Sequence, residues 1–176
     1  VLNADLTLYS GAGLGDIIVS NTLNSDDTGR GLILNSGTGN VDLQRAVGGE
    51  NKGELASLEA TGATISAYDI TTSGDQTYTG NFIHRAESTL TTLDGASTVS
   101  FLGAGTSEIR NITSKGSLVF GVSPNVNVTV SAYNLLSSTM DIENEVTIEN
   151  AATVNANDSF WTVGGNWTNN SPPADI

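Results

Sequence analysis

An all-β solenoid, in the form of a right-handed parallel β-helix, is the fold predicted for this 176-residue chain. The apparent strands are only three to six residues long, and single Gly, Asn or Asp residues make their corners. Segments recur in a way that would stack like residues in register, with aliphatic stacks in the core and Ser, Thr and Asn ladders inside or along the faces. Aromatic residues make up only 6%, which suits a narrow interior filled by Val, Ile, Leu, Ala and Thr. An antiparallel β-sandwich is the alternative way to assemble many short strands. At about 22 residues and roughly 4.8 Å per coil, a solenoid of this length would hold about eight coils.

The first coils are read from a repeated segment. Leu6 to Gly11, Leu32 to Gly37 and Leu90 to Gly95 each place a Leu five residues before a Gly. A further apolar residue, Ile17, Leu43 or Phe101, stands six residues beyond that Gly. The copies are offset by 26 and then 58 residues. Each reads as strand, turn, strand. Leu32 and Leu34 alternate with period two, Asn35 to Gly39 turn the corner, and Val41 and Leu43 resume the alternation. The Ser-Gly and Gly-x-Gly pieces supply left-handed backbone at the corner. Glu50 to Ala60 is the best helix candidate, but Gly53 interrupts it, so it is read as a short strand or loop. Further strands are expected at Ala63–Ala67, Asp69–Thr72, Gln76–Thr79, Thr98–Leu102, Ser117–Val122, Asn125–Ser131, Met140–Glu143, Glu145–Glu149, Thr153–Ala156 and Phe160–Val163.

The chain is read as one domain over 1–176. Gly-rich coils occupy 1–110, Val/Asn/Thr-rich coils 111–170, and an extended tail 171–176. Nineteen acids against six bases leave a net charge of −13, and no Lys or Arg follows Lys115. Nucleic acid recognition needs clustered cations, and an anionic membrane surface needs the same, so both are excluded as partners. The absence of cysteine removes disulfides, thiolate metal sites and a Cys nucleophile. No apolar run is long enough to span a bilayer, and Val1 to Asp5 carry no signal-peptide pattern.

Leu32 to Leu43, Ala46 to Gly49, Leu55 to Ala60 and Ile70 to Gly80 resemble the β-strand repeats of the filamentous-haemagglutinin-like adhesins and related giant bacterial exoproteins. Thr162 to Asn170 resembles another unit of the same kind. The resemblance covers most of the chain. It implies secretion to the bacterial cell surface, a right-handed parallel β-helix, and a role in adhesion, matrix or biofilm. No secretion domain of that family is recognisable here.

The residues that carry chemistry are few. His84, the lone histidine, reads as a coil-surface residue, since a triad needs a nucleophile and an oriented base and a zinc site needs more ligands than one His provides. Asp26 and Asp27 form the only adjacent pair of acids, and their setting, Asn24 to Gly29, reads as a turn before it reads as a glycosidase pair. No catalytic residue and no cofactor are assigned, and the chain is expected not to be an enzyme. Calcium is the one ion considered. Gly11 to Ile18 echoes the Gly-Gly-x-Gly-x-Asp calcium nonapeptide at Asp16 but occurs once. Asp141, Glu143 and Glu145 alternate, so on one strand they would share a face and repel unless solvated or bridged by a hard cation. Trp161 and Trp167 read as a cap over the open end of the core, or as a glycan-stacking platform. The expected function is a structural or adhesive extracellular protein whose partners are host or matrix glycans and proteins, or other copies of itself. A filament subunit stacking end to end and a polysaccharide-active β-helix enzyme are the alternatives.

Overall fold

The structure is a computed structural model. It describes residues 1–49, 53–86 and 88–103 with their side chains, then Ser107, Ile112 and Val119, and otherwise the backbone of the strands given below. Among these residues the chain forms nineteen β-strands and no helix. They are β1 (Leu6–Tyr9), β2 (Ile17–Val19), β3 (Gly31–Asn35), β4 (Val41–Leu43), β5 (Ser57–Ala67), β6 (Ile70–Thr72), β7 (Gln76–His84), β8 (Thr89–Thr92), β9 (Thr98–Phe101) and β10 (Gly105–Ile109). Then follow β11 (Asn111–Ser114), β12 (Ser117–Phe120), β13 (Val126–Ser131), β14 (Asn134–Ser137), β15 (Thr139–Ile142), β16 (Val146–Glu149), β17 (Thr153–Ala156), β18 (Trp161–Val163) and β19 (Trp167–Asn169).

Every pairing between these strands is parallel. Two face-packed antiparallel sheets are therefore ruled out, and the chain is a β-solenoid. Its coils stack in three columns. The first runs β1, β3, β5, β7, β9, β12, β15, β18. The second runs β2, β4, the C-terminal halves of β5 and β7, then β10, β13, β16, β19. The third runs β6, β8, β11, β14, β17, and the bridges from Leu23 to Val47 and from Val47 to Ile70 extend it toward the N-terminus.

Parallel pairing in register puts like side chains above one another. Leu6, Leu32 and Leu58 form one such line, and Leu23, Val47, Ile70, Leu90 and Ile112 another. Leu32, Leu58, Val47, Ile70, Leu90 and Ile112 are buried. Each such side chain contributes about 1.5–3 kcal/mol on leaving water. Threonines also align in the third column, Thr72 beneath Thr92 inside and Thr71 beneath Thr91 outside.

The interior holds more ring than its composition implies. Tyr78, Phe82 and Phe101 are fully buried, with centroids 4.5 to 5.3 Å apart. The cluster keeps its one polar tip satisfied. Tyr78 Oη donates to Gln76 Oε1 at 2.8 Å, while Gln76 Nε2 donates to Thr72 Oγ1 at 3.1 Å and to the Thr91 carbonyl at 2.8 Å. Buried polar groups persist when they are bonded in this way. Desolvation holds the Tyr78 phenol well above its ordinary range.

Three expectations need correction. The repeated segment holds for its first two copies, since Leu6 pairs with Leu32, but Leu90 lies in the third column and pairs with Ile70. The partner of Ile17 is Val41 rather than Leu43, because the corner from Ser10 to Asp16 is two residues longer than the one from Ser36 to Asn40 and absorbs the difference. Finally, β5 and β7 span 11 and 9 residues, beyond the expected strand length. Each carries the chain without a break from the first column into the second, and β5 has a register shift against β7 between Thr61 and Thr64, a bulge that bends the strand.

The bend between these columns is lined by stacked glycines. A Cβ on Gly39 would meet the Gly15 carbonyl oxygen, one on Gly62 the Gly39 oxygen, one on Gly80 the Gly62 oxygen, and one on Gly103 the Gly80 backbone. Here successive coils approach too closely for any side chain. Gly80 also has φ of +143°, a conformation that favours glycine.

Candidate functional site

Four aspartates share one task. Asp5, Asp16, Asp69 and Asp75 each stand immediately before a strand (β1, β2, β6 and β7). Their Oδ1 atoms accept the backbone N–H groups of Gly31, Asn40, Thr89 and Thr98, at 2.9, 2.7, 2.8 and 2.7 Å. In every case the donor is the register neighbour one coil further along. The carboxylate thus extends the ladder by one charge-assisted rung where the strand has not yet begun. Sequence reasoning missed this device. Its signal was an Asp directly ahead of an alternating segment, recurring in successive coils.

A groove lies on the outer face of the second column. Ile18, Asp42 and Ser66 occupy successive outward positions there, and Asp16, Asn40, Val41, Thr64 and Arg85 complete the lining. Its volume is about 340 Å³. Arg85 Nη2 donates to Asp42 Oδ1 at 2.6 Å, reaching past the coil that carries Ser66, and Gln44 Nε2 donates to Asp42 Oδ2 at 2.7 Å. Asp16 Oδ1 accepts the side-chain amide of Asn40 at 3.2 Å as well as its backbone N–H. Ser66 is the smallest of the three outward side chains, and it lines the groove together with bonded polar groups and the exposed Ile18. Amide, hydroxyl and carboxylate groups beside an apolar surface are the chemistry that recognises a polar ligand with an apolar face. A second groove of similar size follows the glycine corner, between Thr38, Thr61, Thr79 and Leu102.

His84 lies inside the solenoid, not on the coil surface as the sequence led us to expect. It is 3% exposed, and its ring stands edge-on to Phe82 at 5.0 Å. The alternation of β7 explains this, since Gln76, Tyr78, Phe82 and His84 all face inward. Ser66 faces outward, so the two lie on opposite sides of the sheet and cannot act as nucleophile and base.

Asp26 and Asp27 occupy the expected turn. Asp26 Oδ1 accepts the Thr28 N–H at 3.1 Å, and Arg30 grips the carboxylate through Nε at 2.9 Å and Nη2 at 2.7 Å. That hydrogen bond from Arg30 lowers the Asp26 pKa from its ordinary value. Asp16, the calcium candidate, lies in the groove and serves the ladder. Among the described residues no three His, Cys, Asp or Glu side chains gather as a metal cluster. Asp141 falls in β15, paired with Val119 and Thr162, whereas Glu143 and Glu145 lie outside the described residues. Trp161 and Trp167 fall in β18 and β19, the last strands of the first and second columns, opposite Met140 and Val146. The tail 171–176 lies outside the described residues.

No protein-family model matches the chain, no curated protein matches it, and no solved structure matches it.

Proposed function

We propose that this chain is a non-enzymatic structural and adhesive element of a bacterial cell surface or extracellular matrix. It acts as a stiff scaffold whose outer faces offer shallow polar grooves to matrix or host glycans and proteins. The observation that carries this reading is the employment of the carboxylates. Asp5, Asp16, Asp69 and Asp75 bind coil to coil, Asp26 closes a turn with Arg30, and Asp42 holds Arg85 across coils and Gln44 within its own. Acids so engaged serve the framework, which favours presentation of a surface over catalysis. The resemblance of Leu32 to Leu43 and Ile70 to Gly80 to adhesin repeats supports the extracellular setting.

The groove over Ser66 is the proposed contact surface. With a chain charge of −13, neutral glycans fit it better than sulfated or uronic ones. The test is retention of the chain on an array of neutral and acidic oligosaccharides, beside the same assay with Ser66→Trp. That variant fills the groove from an outward position and should leave the melting temperature unchanged. Retention on neutral glycans that Ser66→Trp removes is the expected result. No retention on any glycan or matrix protein, or steady turnover of a polysaccharide, would overturn the proposal.

A further inference from the structure

The groove over Ser66 has a direction. Two rows of outward side chains line it, one on each side of the buried line Ile17, Val41 and Ile65. Asp16, Asn40 and Thr64 stand one residue before that line, and Ile18, Asp42 and Ser66 one residue after it. Each row takes one side chain from each of three successive coils. The groove therefore runs along the solenoid axis, and its lining repeats about every 4.8 Å.

We propose, resting on the adhesive reading above, that this groove holds a neutral, extended β-1,4-linked glycan lying along the solenoid axis, one sugar over each coil. The period selects this occupant. A β-1,4-linked pyranose chain advances by close to one coil spacing per sugar, so successive rings meet equivalent positions in successive coils. An extended peptide advances only about 3.3 Å per residue and falls out of step with the coils. The two rows fit the same ligand. Rings joined in this way turn over at each linkage and carry hydroxyls along both edges. Asp16, Asn40 and Thr64 offer polar groups to one edge, and Asp42 and Ser66 to the other. Ile18 adds an apolar contact for a ring face.

The backbone argues against a peptide as well. Peptides that join a sheet do so at an open edge, through main-chain hydrogen bonds. Here β4 already pairs with β2 on one side and β5 on the other, so the groove offers side chains, which suits a ligand made of hydroxyls. Charge excludes acidic sugars. Asp16 and Asp42 line the groove, and Arg85, the cation of its lining, is paired with Asp42. A uronic or sulfated chain would meet carboxylates with their counter-charge already engaged.

The experiment is an amide NMR titration of the 176-residue chain with disaccharides and trisaccharides of four neutral series. Three are β-1,4-linked, built on glucose, mannose and N-acetylglucosamine, and the fourth is α-1,4-linked glucose, which curves away from a straight groove. An uncharged extended peptide is titrated beside them. We expect at least one β-1,4 series to bind, with shifts at Asn40 and Thr64 and an affinity that rises about three- to tenfold from disaccharide to trisaccharide. The α-1,4 trisaccharide should bind about tenfold more weakly or not at all. Thr64→Val removes a hydroxyl from the middle coil and should weaken the trisaccharide about three- to tenfold with the melting temperature unchanged. Thr77→Val, at an outward position of the first column, should leave binding as it is. Equal affinity for α- and β-linked trisaccharides, no gain from the third sugar, undiminished binding by Thr64→Val, or binding of the peptide in place of every β-1,4 series overturns the proposal and leaves the adhesive reading standing. Retention of no glycan and no matrix protein overturns that reading itself, and this one with it.

Discussion

The aspartates ahead of the strands carry a charged hydrogen bond that no backbone carbonyl supplies. Asp75 Oδ1 accepts the Thr98 N–H at 2.7 Å, and bonds of this class contribute about 1.5–3 kcal/mol. Asp75→Ala should therefore destabilise the chain by about that amount and speed hydrogen exchange at the Thr98 amide. Asp75→Asn keeps an acceptor oxygen and should cost less. Equal exchange in wild type and Asp75→Ala would remove the ladder role. Asp26 makes a different prediction, about pH. Arg30 lowers its folded pKa, so the contribution to stability is complete above the unfolded carboxylate value and is lost as pH falls through the lower folded value. A carboxyl titration followed by NMR should place the Asp26 midpoint below the ordinary range, and Arg30→Gln should raise it. These two roles were not equally legible. The turn at Asp26 follows from Asp and Gly preferences in local sequence, whereas a clamp between Asp75 and Thr98 depends on a partner 23 residues away.

Strands were legible wherever apolar residues alternated, because a side-chain period of two is a local property. Ile70–Thr72, Thr98–Phe101, Thr153–Ala156 and the strands around Val128 and Met140 all fall within or beside their expected positions. Gly105–Ile109, Asn111–Ser114 and Asn134–Ser137 were missed as elements. Their alternation is weak, and the ladders on either side define them. The corner between the first and second columns shows the same dependence on neighbours. A glycine there looks like any turn glycine, but Gly80 lies against the Gly62 carbonyl of the coil below. Gly80→Ala should lower the melting temperature sharply, because its φ of +143° and the approach to Gly62 both reject a side chain. Gly13→Ala, where a Cβ would meet nothing within 4 Å, should leave it nearly unchanged. Equal effects of the two substitutions would mean that the corner is not close-packed.

Across the whole molecule, each coil contacts chiefly its neighbours, so stability is close to a sum over adjacent coils. Leu43 is fully buried between Val19 and Ala67 on its register line, whereas Leu14 is 84% exposed. Leu43→Ala should cost about 2–5 kcal/mol, and Leu14→Ala should stay within about 0.5 kcal/mol of wild type. Urea unfolding measures both, and hydrogen exchange should show the loosening from Leu43→Ala concentrated in the first three coils. Uniform loosening along the chain would contradict the nearest-neighbour picture.

By itself the sequence determined the fold class, because short alternating strands, abundant corner residues and a repeat at Leu6 and Leu32 are all properties of local pattern. It also determined the net charge of −13. Only the tertiary structure decided which strands share a column, that His84 faces inward, that four aspartates clamp neighbouring coils, and that Asp42, Ser66 and Arg85 meet in one groove. Each of these depends on how many residues a coil consumes before the chain returns to the same column. That length changes from coil to coil with the size of the corners, so it is set by how the coils pack against one another.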